Sequence, residues 1–125
     1  MNQNVFIENK SIEWEVLNDK VQRKILAYDK DLMVVKVAFE KGGVGSLHDH
    51  HHSQITHVQC GSFEVNINGE KKILKEGDAF YIPPNVVHGA LCLEEGILLD
   101  VFSPMREDFV EAEKKERVLI NTNAD

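Results

Sequence analysis

Along most of the chain, apolar residues alternate with polar ones or gather in short β-branched runs, and only one late segment carries the start signals of a helix. Residues 12–17 (IEWEVL) alternate apolar and acidic side chains, as an edge strand or a strand facing a partner would. Trp14 within it serves either a subunit contact or its own core. Asn18-Asp19 marks a turn, and residues 21–28 (VQRKILAY) predict the next strand. Residues 32–39 (LMVVKVAF) are rich in β-branched side chains and predict a well-buried strand. A glycine loop from Gly42 to Gly45 then leads into a strand carrying histidines.

Residues 54–60 and 62–67 predict two further strands around Gly61, and Asn68-Gly69 is the strongest hairpin signal in the chain. Gly77-Asp78 turns the chain into a strand at 79–82. Pro83-Pro84-Asn85 interrupts before 86–93, and Glu94-Glu95-Gly96 leads into 97–103 (ILLDVFS). Ser103 as N-cap, Pro104 in the first turn, and Glu107 and Asp108 near the positive helix end predict one short helix over 106–117. Residues 1–11 read as a loose arm, and the tail from Val118 is expected to be weakly ordered.

Many short strands, turns of Gly, Pro and Asn, and one C-terminal helix make this an all-β sandwich or barrel rather than a βαβ protein. At 125 residues the chain supports one core and not two. It reads as a single domain over 1–125, with a core at about 12–110, an arm at 1–11, and a helix and tail at 104–125. A net charge of −7 argues against nucleic-acid binding, which depends on clustered Lys and Arg. No apolar run reaches membrane-spanning length and MNQNVFIENK lacks a signal-peptide core, so the expectation is no membrane partner and a cytoplasmic location. Cys60 and Cys92 lack CxxC spacing and fall in apolar runs, where buried, inert thiols are expected.

Candidate chemistry concentrates in the stretch 42–61, GGVGSLHDHHHSQITHVQCG. His48 and His50 are two apart, so an extended strand can aim both imidazoles at one point. Gln54 follows four residues later, and His88 lies in a second apolar run, YIPPNVVHGA. Three imidazoles and an amide oxygen form a candidate divalent metal site with open positions for a ligand. A lone histidine is more often a satisfied core or surface residue, and Gln54 can instead be a plain hydrogen-bonding core residue. The cluster, framed by glycines, favours ligation. A loop following the site explains His51 and His52, and His57 falls on the strand face opposite Gln54. The donor set suits nickel, zinc, manganese, cobalt or iron alike.

Asp100, within ILLDVF, has apolar neighbours on both sides, where an ionised carboxylate is costly unless paired or used. It reads either as a partner of Arg106 or a lysine that fixes the sheet, or as a general acid/base. Phe102 shares its strand face. Arg106 has a fork suited to a substrate carboxylate, or to a surface pair with a nearby acid. The run 111–117 is most simply a solvated helix face.

The patterns Gly42-x5-His48-x-His50-x3-Gln54-x6-Gly61 and Gly77-x5-Pro83-x-Asn85-x2-His88 resemble the two motifs of the cupin superfamily, small jelly-roll barrels that hold a metal inside. Gln54 stands where many cupins have a metal-binding Glu. Asn85 stands where many have Gly, a mild departure because Asn tolerates left-handed backbone. More narrowly, HxHxxxQ, PPNVVHGA and LDVFSPMREDF resemble the pectin-degradation cupins of the KdgF type, over residues from about 12 to 110.

The resemblance implies one divalent metal ion per chain held by His48, His50, Gln54 and His88, with Asp100, Phe102 and Arg106 beside it. It implies a homodimeric enzyme whose partner is a small-molecule sugar acid: it opens the ring of 4,5-unsaturated uronate monosaccharides to linear keto-uronates. Asp100 would move the proton, Arg106 would hold the carboxylate, and Phe102 would pack on the sugar. Glutamine in place of glutamate leaves the dipositive charge uncompensated by its own ligands. That favours Lewis-acid work over the two-histidine, one-carboxylate iron chemistry of oxygenases. A non-catalytic cupin that binds a sugar acid or a metal, and an iron-dependent dioxygenase, are the alternative classes.

Overall fold

The computed structural model describes residues 5–123, with side chains described through residue 115. Its strands are β1 (Glu15–Asn18), β2 (Val21–Asp29), β3 (Leu32–Phe39), β4 (Val44–His48), β5 (Ser53–Ile67), β6 (Glu70–Lys75), β7 (Ala79–Ile82) and β8 (His88–Ser103), followed by helix α1 (Glu107–Asn123). They form one sheet in the order β1-β2-β3-β8-β5-β6, with β4 added to β8 and β7 to β5. This branching rolls the sheet into an all-β jelly roll.

The long strands β5 and β8 are its spine, antiparallel from Ser53↔Ser103 to Ile67↔His88. The turn signals at Gly61 and Gly96 predict two shorter strands on each side, but both strands run on through them. Gly61 adopts φ +85, and a Cβ there would lie 2.5 Å from the Cα of Gly96. The two glycines let the backbones approach and bend together, with the register shifting at the bend but never breaking. At Asn68 (φ 53) and Gly69 (φ 87) the left-handed pair makes the expected two-residue hairpin.

Alternation on β3 puts Met33, Val35, Val37 and Phe39 into the core, where Phe39 meets Phe63 edge to face at 5.2 Å. Lys24, 5% exposed, donates to the carbonyls of Asn9 (3.0 Å) and Ile12 (3.3 Å) and lies 4.4 Å from the Trp14 ring. Trp14 therefore packs on its own fold. The same contacts correct the loose-arm expectation: Asn9–Ser11 is a pinned 3-10 turn, Val5 and Phe6 are exposed, and residues 1–4 lie outside the described residues.

The helix begins at Glu107 and continues past Val118, where a weakly ordered tail was expected; residues 124–125 lie outside the described residues. Ser103 is not its cap, because its hydroxyl donates to the Asp31 carbonyl at 2.7 Å. Cys92 is buried as expected, whereas Cys60 is only half-buried. Among the described residues no helix is long and apolar enough to cross a membrane.

Candidate metal centre

The inward face of β5 carries Gln54 and Thr56, and directly opposite them on β8 stand Phe102 and Asp100. Ile55 is exposed, and so is His57, which was expected to face away from the site. His48 is the last residue of β4 and pairs with His88, the first of β8. The strand pleat therefore does not bring His48 and His50 together, as two-residue spacing suggests. His50 lies beyond β4 in a loop, and the Asn85 N–H, in a left-handed residue (φ 65), donates to the His50 carbonyl at 2.7 Å. The two glycine-framed segments are thus tied to each other at the centre.

His48, His50 and His88 each place one ring nitrogen so that all three lie within 4.8 Å of one another. Each ring is held from behind: the Nδ1–H groups donate to the carbonyls of Ser46 (2.7 Å), His52 (3.1 Å) and Val86 (2.9 Å). These bonds fix the tautomer and turn every Nε2 lone pair inward. The Nε2 of His88 is buried and has no hydrogen-bond partner. The Nε2 of His50 faces Gln54 Oε1 at 3.0 Å, which sets two lone pairs against each other. Acceptors aimed at one another and a buried acceptor with no donor fit a divalent cation among them. Burial, partly offset by the Val86 hydrogen bond, lowers the His88 pKa to about 4. His50 is lowered too, by burial first and then by the Arg106 charge. Neutral imidazoles are the form that ligates a metal.

The amide of Gln54 is oriented from its other end. Its Nε2 donates to Thr56 Oγ1 at 2.9 Å and to Asp100 Oδ1 at 3.5 Å, while Thr56 donates to Asp100 Oδ1 at 2.6 Å. Asp100 borders the cavity, so part of its surface is accessible, yet the carboxyl sits enclosed within the barrel. That burial raises its pKa to about 6, against the lowering effects of Thr56, Arg106 and His48.

Arg106 is 9% exposed, and its Nε and Nη2 grip Asp108 at 3.1 and 2.8 Å. The expected pair with a nearby acid is therefore present, made by a buried guanidinium to the exposed Asp108, and Arg106 is not the ion-pair partner of Asp100. Its guanidinium lies over Phe109 at 4.2 Å, and Arg23, paired with Glu15, covers the same ring at 3.9 Å. Phe102 is 2% exposed and wedged among His50, His52 and Phe109, so little of its ring faces the cavity. A cavity of about 260 Å³ is lined by His48, Gln54, His88, Asp100 and Arg106 among others.

Sequence reasoning passes over Thr56 and Arg23, and assigns His52 only to a loop following the site. Thr56 and Arg23 are signalled only by their places two residues from Gln54 and Val21 on inward strand faces. His52 is buried with an unpartnered Nδ1, its pKa lowered to about 4 chiefly by burial, and its carbonyl steadies His50.

A model of the cupin domain matches residues 35–102. The pectin degradation protein KdgF of Dickeya dadantii is 50% identical over 107 residues, covering 84% of this chain and 96% of that protein. Among solved structures, KdgF from a Halomonas species matches with a TM-score of 0.82 and 43% identity, over 86% of this chain and 99% of its own. An RmlC-like cupin from Shewanella frigidimarina matches with a TM-score of 0.83 and 44% identity, over 86% of this chain and 96% of its own. The chain belongs to the cupin family and, within it, resembles the pectin degradation proteins of the KdgF type.

Proposed function

We propose that the protein opens the ring of 4,5-unsaturated uronate monosaccharides, sugar acids of the kind formed in pectin breakdown, to give linear keto-uronates. The observation that carries this reading is Asp100: a carboxyl raised to about 6, opposite Thr56 and within reach of the Gln54 amide that faces the three-histidine cluster. A group that exchanges protons near neutral pH is what ring opening asks for. The likeness to KdgF supports the substrate class.

His48, His50, Gln54 and His88 would hold one divalent metal, which when bound supplies Lewis-acid polarisation of substrate oxygens. Asp100 takes the proton of the anomeric hydroxyl as the bond from C1 to the ring oxygen breaks. The electron pair leaves on that oxygen as the enolate of C4 and C5, and Asp100 returns the proton it took to C4, which yields the ketone and restores the carboxylate, so the reaction is an isomerisation. Thr56 and Gln54 both donate to Oδ1 of Asp100, leaving Oδ2 to exchange the proton. Arg106 offers the substrate carboxylate the N–H groups that Asp108 leaves open. Phe102 closes the wall behind His50 and keeps water from it. The neutral donor set favours this chemistry over the iron-dependent dioxygenase reading.

The same reading makes the chain a cytoplasmic homodimer, supported by Val16 and Leu17, 67% and 43% exposed on edge strand β1. A monomeric mass in light scattering would refute the dimer.

The test of the reaction is optical. Metal-loaded protein is mixed with 4,5-unsaturated galacturonate, and the ultraviolet absorbance of the conjugated double bond is followed against buffer. We expect a faster decay that chelator abolishes, and a loss of about 100-fold or more in Asp100→Asn. Full turnover by that variant with metal bound would refute the role of Asp100. No acceleration with any of the five metals would refute the substrate.

A further inference from the structure

We infer that Thr56 is the positioning residue of the centre: its single hydroxyl fixes which end of Gln54 faces the metal and which oxygen of Asp100 is committed. This rests on the proposed metal centre and deepens it. Thr56 is 0% exposed on β5, opposite Asp100 on β8. Its oxygen accepts from Gln54 Nε2 at 2.9 Å, and its one proton goes to Asp100 Oδ1 at 2.6 Å.

A hydroxyl has one proton to give, so the direction of the chain is set by its ends. A carboxylate at position 100 can only accept, which obliges Thr56 to donate there and to accept from residue 54. Residue 54 must therefore turn a donor toward Thr56, and an amide that does so necessarily turns its oxygen toward His50, as it does at 3.0 Å. A glutamate in its place has no donor to offer. It would compete with Asp100 for the Thr56 proton, and two carboxylates would face each other across a buried hydroxyl. Glutamine is therefore the side chain that can present oxygen to a cation and hydrogen to Asp100 at once. The departure from the glutamate of other cupins is coupled to Asp100 through Thr56.

The experiment measures Zn²⁺ affinity by isothermal titration, with no substrate present. Thr56→Val removes the hydroxyl at nearly constant shape and frees the Gln54 amide to turn. We expect Zn²⁺ affinity to fall about 10- to 100-fold, as for other residues that orient metal ligands, and Thr56→Ser to restore it. A valine variant that binds Zn²⁺ as the wild type does would overturn the inference.

Where the valine variant does not fold, Gln54→Glu decides instead. In that background Asp100→Asn is expected to raise Zn²⁺ affinity, because the introduced asparagine donates to Thr56 and Thr56 then donates to the introduced glutamate. In the wild-type background the same change lowers affinity, since an anion near the cation is lost. The same sign in both backgrounds would overturn the inference. A wild type that binds Zn²⁺ and opens no uronate ring would refute the reaction alone and leave these affinity comparisons standing.

Discussion

Replacing Asp100 with asparagine is expected to stabilise the metal-free protein at neutral pH while removing the proposed ring-opening activity. The carboxyl is moved by burial from 3.8 to about 6, so its ionised form is disfavoured in the folded state. At about 1.4 kcal/mol for each tenfold change in proton affinity, that displacement amounts to about 3 kcal/mol. Asp100 borders the cavity, and solvent entering it would screen part of the penalty, which leaves a gain of between about 1 and 3 kcal/mol. Asparagine has nearly the same shape, and its carbonyl oxygen can still accept from Thr56.

The sign follows from proton linkage. Because the folded pKa lies above the unfolded one, the native chain holds the larger share of the proton between 3.8 and about 6. Wild-type stability therefore falls as pH rises through that window, and the penalty is constant above it. Urea denaturation of both proteins, with chelator present so that no dication favours the anion, should show the variant more stable at pH 7.5. In a thermal scan the gain corresponds to roughly 4–10 °C. The difference should shrink to at most about 0.5 kcal/mol near pH 4. A gain that is equal at the two pH values, or absent at both, would refute the claim that Asp100 is a raised, burial-strained carboxyl.

His88→Ala removes the buried Nε2 that lacks a partner, and Zn²⁺ affinity should drop by more than about 100-fold. His57→Ala, on the outer face of β5, should leave it unchanged; equal losses would mean that general histidine binding and not this centre holds the metal. Gly61→Ala forces a side chain at φ +85 against the Gly96 backbone, and should destabilise the fold by at least about 2 kcal/mol in urea. Wild-type stability in that variant would show that the β5–β8 bend does not need close backbone approach.

The strands were legible because each carries its own alternation, and the histidine centre was legible because glycines frame it. What escaped was decided by partners far along the chain. Gly61 and Glu94-Glu95-Gly96 look like turns in isolation, and only their pairing with each other makes them a bend in two continuous strands. Ser103 has the sequence of a helix cap, but the Asp31 carbonyl, 72 residues away, takes its hydroxyl. The pinned turn at Asn9–Ser11 depends on a lysine of β2 that no local pattern connects to it. His50 joins the histidine cluster from a loop beyond β4, not through the strand pleat that its two-residue spacing suggests.

The sequence leaves two readings of Asp100 open, and its neighbours in the structure bear on the choice between them. A carboxylate kept to fix the sheet needs a cation, since an unpaired buried charge is destabilising. Arg106 gives its ion pair to Asp108 at 2.8 Å, and the hydrogen bonds that Asp100 receives among the described residues come from the neutral donors Thr56 and Gln54. Neutral donors orient a carboxyl without holding it ionised as firmly as a cation would, which is why burial prevails and the pKa rises. The pairs Gln54↔Phe102 and Thr56↔Asp100 share one inward face, so a one-residue slip of β5 against β8 would turn all four out of the barrel. The register that builds the core therefore also places an orienting hydroxyl, an amide and a strained acid together, an arrangement that burdens the fold and is suited to proton transfer.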